Sequence, residues 1–359
     1  MIKFLFPILI GLVLISACHS KENKLITIEG EAQGTTWHIS YLSEDGHNHK
    51  MAIDSILKDI DQSLSTYVPV SIISRINNNE PNILVDPYFI DVFNKSMEVS
   101  QRTGGLFDVT VGPLVNAWGF GFSKKANIDS TRIDSILQYI DYKMLKLDGN
   151  RLIKQKKEMQ LDFNAIAQGY TVDVLASYLE KKGVDNYLVE LGGELLAKGK
   201  KNTENWKVGI DHPTQNTSSE RKLEAIIELN NRALCTSGNY RKFYEEDGKR
   251  FAHILDPRTG FPARQNILSA TVIADDAMTA DAYATSFMVM GLERSKQFLA
   301  ENKDLNLEVF FIYDENNTWK TYTSESLKNK LKQVNKPDLD IRKGKKWGYN
   351  WSDKALEQQ

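Results

Sequence analysis

Apolar residues in this chain follow two periods, and the period in force changes along its length. Ile53, Ile56, Leu57, Ile60 and Leu64 sit on one helical stripe, so residues 50–64 should form an amphipathic helix. Phe89, Ile90, Phe93 and Met97 form the buried stripe of a second helix. That helix is punctuated at both ends: Asp86 can cap it, Pro87 suits its first turn, and Gly104 suits its stop. A short polar helix is expected over 129–139. Residues 164–182 read as a helix that ends at Gly183 and buries Ile166, Tyr170, Val174 and Tyr178. Asp276 can cap a last main helix, which runs to Met290 and stops at Gly291. Elsewhere the period shortens to that of strands. Residues 26–41 suggest a hairpin or two short strands around Gly34-Thr35-Thr36. Strand-like runs follow at 186–191, 194–199, 206–211, 223–229, 233–236, 251–255 and 268–274. Residues 308–313 and 319–323 flank Glu315-Asn316-Asn317 as a terminal hairpin. Residues 105–122, rich in glycine and aromatics, fit neither period and read as a binding loop. There is no internal repeat and no low-complexity segment. Helices and strands neither alternate strictly nor segregate fully, which favours an α+β or mixed layered α/β domain.

The N-terminus changes the picture of where this domain works. Lys3 is followed by an apolar run over 4–15, interrupted only by Pro7 and Gly11, and then by Ile15-Ser16-Ala17-Cys18. Small residues before a cleavage point mark an export signal. A cysteine directly after them resembles a bacterial lipobox, which implies removal of residues 1–17 and lipidation of Cys18. The alternative is a plain signal peptide with an incidental cysteine, or a short membrane anchor. Each buried methylene adds about 0.8 kcal/mol of membrane affinity, so several acyl chains would hold firmly. Residues 18–26 then read as a tether, 27–336 as the working domain, and 337–359 as a polar tail with a basic stretch at 342–346. A mature chain of about 340 residues suits one large domain or two intimate ones.

Composition removes several function classes. The second cysteine is Cys235, so with Cys18 lipidated no intrachain disulfide forms, and two cysteines exclude a cysteine-rich zinc site. Formal net charge is -2, which gives no global field to attract nucleic acid or acidic membrane. No second apolar run reaches the roughly 18 residues needed to cross a bilayer.

Five short constellations carry candidate chemistry. Asp281 and Thr285 are four apart on the last main helix and would share a face. A carboxylate beside a hydroxyl, among small neighbours such as Ala280, Ala282 and Ala284, suits Mg²⁺ that also binds substrate phosphates. Standing alone, such a pair is more often a solvated aspartate and a threonine bonded to its own helix. In Leu161-Asp162-Phe163-Asn164-Ala165-Ile166-Ala167-Gln168-Gly169-Tyr170 an apolar strand end enters a helix through Asp and small residues. Helix starts present free amides and a positive dipole end to phosphate, although a capped helix without a ligand explains the segment too. His253 and Arg258 flank the Asp256-Pro257-Arg258-Thr259-Gly260 turn, where one can take a proton and the other hold phosphate oxygens. A turn with a structural histidine and a surface arginine fits equally. Thr236-Ser237-Gly238-Asn239-Tyr240 is a hydroxyl-rich turn, and Gly192-Gly193 would let a flat ring or another strand come close.

In this order and spacing, these pieces resemble the ApbE-type FAD:protein FMN transferases. Gly34-Thr35-Thr36-Trp37, Ser65-Thr66-Tyr67, Phe107-Asp108-Val109-Thr110-Val111-Gly112-Pro113-Leu114, Trp118-Gly119-Phe120-Gly121 and Glu190-Leu191-Gly192-Gly193-Glu194 add to the likeness, which runs from about residue 28 to 325. The resemblance implies an α+β fold of the ApbE type, with two intimate subdomains around a flavin groove as one arrangement. FAD would touch Gln33, Tyr67, Gly105, Leu106, Phe107, Asp162, Gln168 and Leu255. Mg²⁺ would bind the Ala165 carbonyl and the side chains of Asp281 and Thr285. His253 would be the catalytic base, with Asp281 the second catalytic residue. Two departures stand out. Gln168 occupies a position often charged in the family, and Ala284 stands where many members carry an acid three residues after the metal aspartate. The first predicts altered cofactor affinity, the second more of the metal's shell left to water and phosphate.

The resemblance implies transfer of FMN from FAD to a Thr or Ser hydroxyl of a partner protein, with release of AMP. Exported flavoproteins, such as subunits of membrane redox pumps, would be the acceptors, at the cell envelope on the periplasmic side of the inner membrane. A Mg-dependent FAD pyrophosphatase using water as acceptor, a non-catalytic FAD-binding lipoprotein and a purely structural surface lipoprotein remain the competing readings.

Overall fold

The computed structural model describes residues 23–121, 129–212, 222–238, 243–246, 249–252, 254–263, 265–316 and 318–334. The expected signal peptide, Cys18, His253 and the polar tail lie outside the described residues. Eight helices order the described chain: α1 Lys50–Leu64, α2 Ile72–Asn77, α3 Pro87–Thr103, α4 Gly112–Ala117, α5 Ser130–Leu137, α6 Ala167–Lys181, α7 Ala277–Met290 and α8 Leu292–Glu301. The strands are β1 Lys24–Ala32, β2 Thr35–Ser43, β3 Leu145–Asp148, β4 Arg151–Lys154, β5 Tyr187–Leu191, β6 Glu194–Lys198, β7 Trp206–Asp211, β8 Leu223–Leu229, β9 Arg232–Gly238, β10 Phe243–Glu246, β11 Lys249–Ala252, β12 Ile267–Ala274, β13 Glu308–Glu315, β14 Thr318–Thr323 and β15 Leu331–Gln333.

Eight strands form one antiparallel sheet in the order β1-β2-β5-β6-β9-β12-β13-β14. Its inner strands are apolar on both faces, and alternation sends successive residues to different cores. On β5, Tyr187, Val189 and Leu191 join the helix-side core, while Leu188 points the other way. On β13, Val309 and Phe311 face the helices, whereas Phe310 and Ile312 face a second layer. That layer is the three-stranded sheet β15-β8-β7, which brings Ala225, Ile227, Leu229, Trp206 and Ile210 onto the far face. The result is three layers: helices, large sheet, small sheet. This is the α+β layered class expected from the pattern.

A separate small cluster holds Leu114, Trp118, Ile133 and Leu255. It joins α4, α5 and the turn at 254–263, beside the main core.

The helices expected at 50–64 and between Pro87 and Gly104 are α1 and α3. Asp86 accepts from Phe89 N, and Gly104 stops the helix with φ 63°. Helix α6 starts three residues later than the expected 164, because Asp162 turns back onto Asn164 N at 2.8 Å and holds the entrance out of helical geometry. The hairpin turn of β1 and β2 is Gln33-Gly34, one residue earlier than expected, with φ 54° and 71°. Strand β1 begins at Lys24, inside the expected tether. The run expected over 251–255 is shorter, since β11 ends at Ala252 and Leu255 forms only an isolated bridge with Pro262.

Candidate active site

The site begins where the chain enters α6. Asn77 pins the Leu161 peptide on both sides, accepting from its N–H at 2.7 Å and donating to its carbonyl at 2.8 Å. Asp162 follows, its own amide bonded to the Val109 carbonyl at 2.8 Å. Its half-buried carboxylate accepts from Asn164 N and Nδ2, and burial pushes its pKa up. Tyr67 is exposed (60%) on the α1–α2 loop, near enough to Asp162 to feel its charge. Beyond Asp162 the amides of Ile166 and Ala167 both turn to the Phe163 carbonyl.

Gly169 is the third residue of α6, so its amide is one of those a helix start leaves without a partner in its own chain. A neighbouring helix caps it: the amide donates to Asp281 Oδ2 at 3.0 Å. No described residue donates a hydrogen bond to the Ala165 carbonyl. Only glycine fits here, because a Cβ at 169 would stand 2.3 Å from the Ala277 carbonyl oxygen and 2.7 Å from Asp281 Cβ. The missing Cβ lets α6 and α7 touch backbone to backbone.

Helix α7 carries Asp281 and Thr285 one turn apart. Asp281 is buried, and that burial lifts its pKa to about 7 although the Gly169 amide pulls the other way. Its Oδ1 accepts nothing from a described residue. Thr285 is half-buried and shares a 3.1 Å hydrogen bond with Ser237 Oγ at the end of β9. Thr236, Ser237 and Gly238, expected in a hydroxyl-rich turn, are the end of β9 itself, while Asn239 and Tyr240 lie outside the described residues. Asp281 Oδ1, Thr285 Oγ1 and the Ala165 carbonyl are hard oxygens, the donor type that Mg²⁺ takes. Among the described residues no group of three or more His, Cys, Asp or Glu could hold an ion unaided. An ion here would need phosphate or water to complete its shell.

The hairpin turns close the other side. Gln33 donates through Nε2 to Thr171 Oγ1 on α6 at 2.9 Å, and Gln168 Nε2 lies 3.5 Å from the Gln33 carbonyl. A Cβ at Gly192 would meet Thr35, Glu194 and Gln168 between 3.0 and 3.3 Å, and its φ is 66°. Glu190 braces this turn from below, accepting from Gly193 N at 2.8 Å while its second oxygen meets His38 Nδ1 at 2.9 Å. Gln33, Gln168 and the double glycine thus converge at the mouth of α6.

Other expected residues sit apart. Gly105 has φ 80° just after α3, but the side chains of Leu106 and Phe107 lie in the main core, leaving only backbone for a ligand. Leu255 is buried in the satellite cluster. Arg258 gives its fork to Asp256, with contacts of 3.0 and 2.8 Å, and this pair braces the turn itself instead of reaching for phosphate. Sequence reasoning missed Asp173, a half-buried carboxylate of α6 that accepts from Ala277 N and Met278 N, each at 2.8 Å. The available signal was an acid standing between Val172 and Val174 in an apolar helix.

Known proteins share this architecture. The solved flavin transferase ApbE of Vibrio cholerae superposes with a TM-score of 0.76 at 34% identity, over 86% of this chain and 99% of that one. The apo flavinyl transferase ApbE of Pseudomonas stutzeri gives 0.76 at 31% identity, over 86% and 97%. In sequence, the FAD:protein FMN transferase of Haemophilus influenzae is 37% identical over 340 residues, covering 89% of this chain and 96% of the relative. The model of the ApbE family matches residues 33–311, a span that takes in both hairpin turns, the α6–α7 pair and Thr285. With fold, span and identity in agreement, the chain belongs to the ApbE family.

Proposed function

We propose that this chain is an FAD:protein FMN transferase that places FMN on a Thr or Ser hydroxyl of an acceptor protein and releases AMP. The observation that carries the reading is the contact of Asp281 with the start of α6. One oxygen of Asp281 caps the Gly169 amide, its other oxygen accepts from no described residue, and Thr285 stands one turn further on. Mg²⁺ held by Asp281, Thr285 and the Ala165 carbonyl would draw charge from the FAD diphosphate and stabilise AMP as it leaves.

The chain's own residues supply the rest. Asp281 and Thr285 bind on the phosphate side, and the positive end of α6 faces the same charge. Gln33 and Gln168 offer amide groups to the cofactor, and Asp162 with Tyr67 lines the approach. The backbone of 105–107 and Leu255 belong to the flavin side. His253 is the base that takes the proton of the acceptor hydroxyl as it attacks the FMN-side phosphorus. Asp281 would hold the ion, leaving the proton of the acceptor hydroxyl to His253.

Residues 1–17 would be removed and Cys18 lipidated, which places the enzyme on the periplasmic side of the inner membrane beside exported flavoproteins such as redox-pump subunits. The test is incubation of the mature chain with FAD, Mg²⁺ and exported proteins of the same cell. A fluorescent protein band in a denaturing gel, with a mass gain of one FMN, is expected. FMN and AMP without a labelled band would make it a pyrophosphatase, and no turnover with or without Mg²⁺ would end the enzyme reading.

A further inference from the structure

Helices α6 and α7 exchange aspartates. Asp281 of α7 takes the amide of Gly169, and Asp173 of α6 takes the amides of Ala277 and Met278. Gly169 and Asp173 are one turn apart on their helix, as are Ala277 and Asp281 on theirs. Each helix therefore offers the other an amide and a carboxylate at matched spacing. The two contacts flank the place where Gly169 lets the backbones meet. Helix α7 already has its own cap, since Asp276 accepts from Thr279 N at 2.7 Å and from its hydroxyl at 2.9 Å. Asp173 takes the two first amides of the helix that this cap leaves over. What it adds is a bond between helices, at the end of α7 that leads to Asp281.

We infer that Asp173 is a positioning residue for the phosphate-side ion: it locks α7 onto α6 so that Asp281 and Thr285 stay opposed to the Ala165 carbonyl. The inference rests on the Mg²⁺ site proposed at those residues. A simple cap would support only the stability of α7. A lock between helices also sets the geometry of the oxygens, and the two roles separate by experiment.

Asp173→Asn keeps the size but turns an amide N–H toward a backbone N–H. Asp173→Glu keeps both acceptors on a longer stem. The full mature chain is measured in three ways: exchange of the Gly169 amide without metal, Mn²⁺ affinity in the presence of FAD by paramagnetic resonance, and the Mg²⁺ concentration that half-saturates turnover. The Asn variant is expected to speed Gly169 exchange and to weaken both metal constants by about tenfold or more, the range typical for groups that orient a ligand. The rate at saturating Mg²⁺ should change little, and the Glu variant should recover part of the metal affinity. Unchanged Gly169 exchange and metal constants, with only a lower melting temperature, would overturn the inference. If the Asn variant does not fold, the Glu variant carries the same readouts. A parent chain that binds no Mn²⁺ in the presence of FAD would sink the proposed site itself, a result distinct from a variant that binds like its parent.

Discussion

The α6–α7 contact and the turn at 254–263 treat charge in opposite ways. Around the first, Asp173, Asp276 and Asp281 gather at the start of one helix, where the shift at Asp173 is driven by burial and then by Asp276. Backbone amides answer them, but no described Lys or Arg is paired with any of the three. In the second, Asp256 is matched directly by Arg258. One region buries acids that, among the described residues, only backbone amides and hydroxyls answer. The other is already neutral and serves as a brace. Of the histidine and arginine that flank this turn in the sequence, the arginine is spent on the turn itself, and the proposed metal site lies instead with the buried acids.

Loss of charge should therefore have unequal consequences. Asp281→Ala is expected to cut Mg²⁺-dependent FAD turnover by at least about a hundredfold, in line with loss of a group that stabilises transition-state charge. Arg258→Ala should leave the rate at saturating FAD within a fewfold of the parent. Steady-state kinetics on both variants checks this, and equal losses would erase the distinction between the regions.

Two glycines sharpen it further. At Gly169 a methyl group would strike the Ala277 carbonyl, which is backbone and cannot step aside. Gly169→Ala should cost about 1–3 kcal/mol by overpacking and should also weaken Mg²⁺ dependence, since it parts the two helices. Gly260 has φ 72°, and a Cβ there would stand 2.5 Å from Ile133 Cγ2, a side-chain methyl. Gly260→Ala should cost about 1–2 kcal/mol from its left-handed backbone and leave the metal dependence alone. Denaturant unfolding together with Mg²⁺ titration of turnover separates the two.

The buried acids also set a pH signature for the metal-free protein. Burial raises Asp173 and Asp281 to about 7, above the roughly 3.9 of an unfolded aspartate. Between those values the folded chain holds more protons than the unfolded one. Stability with chelator present should therefore fall as pH rises from about 4 to about 7, then level off. Mg²⁺ should restore more stability at pH 8 than at pH 6. Melting curves at both pH values check this, and a metal effect independent of pH would contradict the charge assignment.

What could be read in the sequence depended on how local its cause was. Helices α1 and α3 announced themselves through one-sided stripes, and Asp86, Gly104 and Asp276 through their caps. Helix α7 was found by its ends, because nearly every side of it is buried and no stripe exists. Helix α8 was missed because Gly291 both stops α7 and opens it, and because Ser295 stands on its buried face beside Leu292 and Phe298. The hairpin of β3 and β4 and the strand β15 are too short to show a period. Asp281 and Thr285 were legible because a helix fixes their relation within four residues. Asp173 was not, since the amides that define it lie about a hundred residues further along. Ser237 became part of the site only when β9 was placed beside α7.

The smallest expected effect on the proposed metal site lies in the satellite cluster. The Trp118 indole donates through Nε1 to the Gly260 carbonyl at 2.8 Å, and its ring meets Phe261 edge to face at 5.8 Å. Trp118→Phe keeps an aromatic ring in contact but leaves that buried carbonyl without this donor. Such a loss costs about 1–3 kcal/mol when no water replaces the bond. The cluster is small and separate from the main core, so the cost should appear as local loosening of the turn and not as loss of the helix pair. Amide exchange at Thr259 and Gly260 should rise, while exchange at Gly169 stays as it was. Mg²⁺ half-saturation should be unchanged, and the KM for FAD should increase if Leu255 contacts the flavin, because the turn that carries Leu255 would be less well held. A shift in Mg²⁺ dependence instead would mean that the brace and the buried acids work as one unit, and that the contrast between them does not describe this protein.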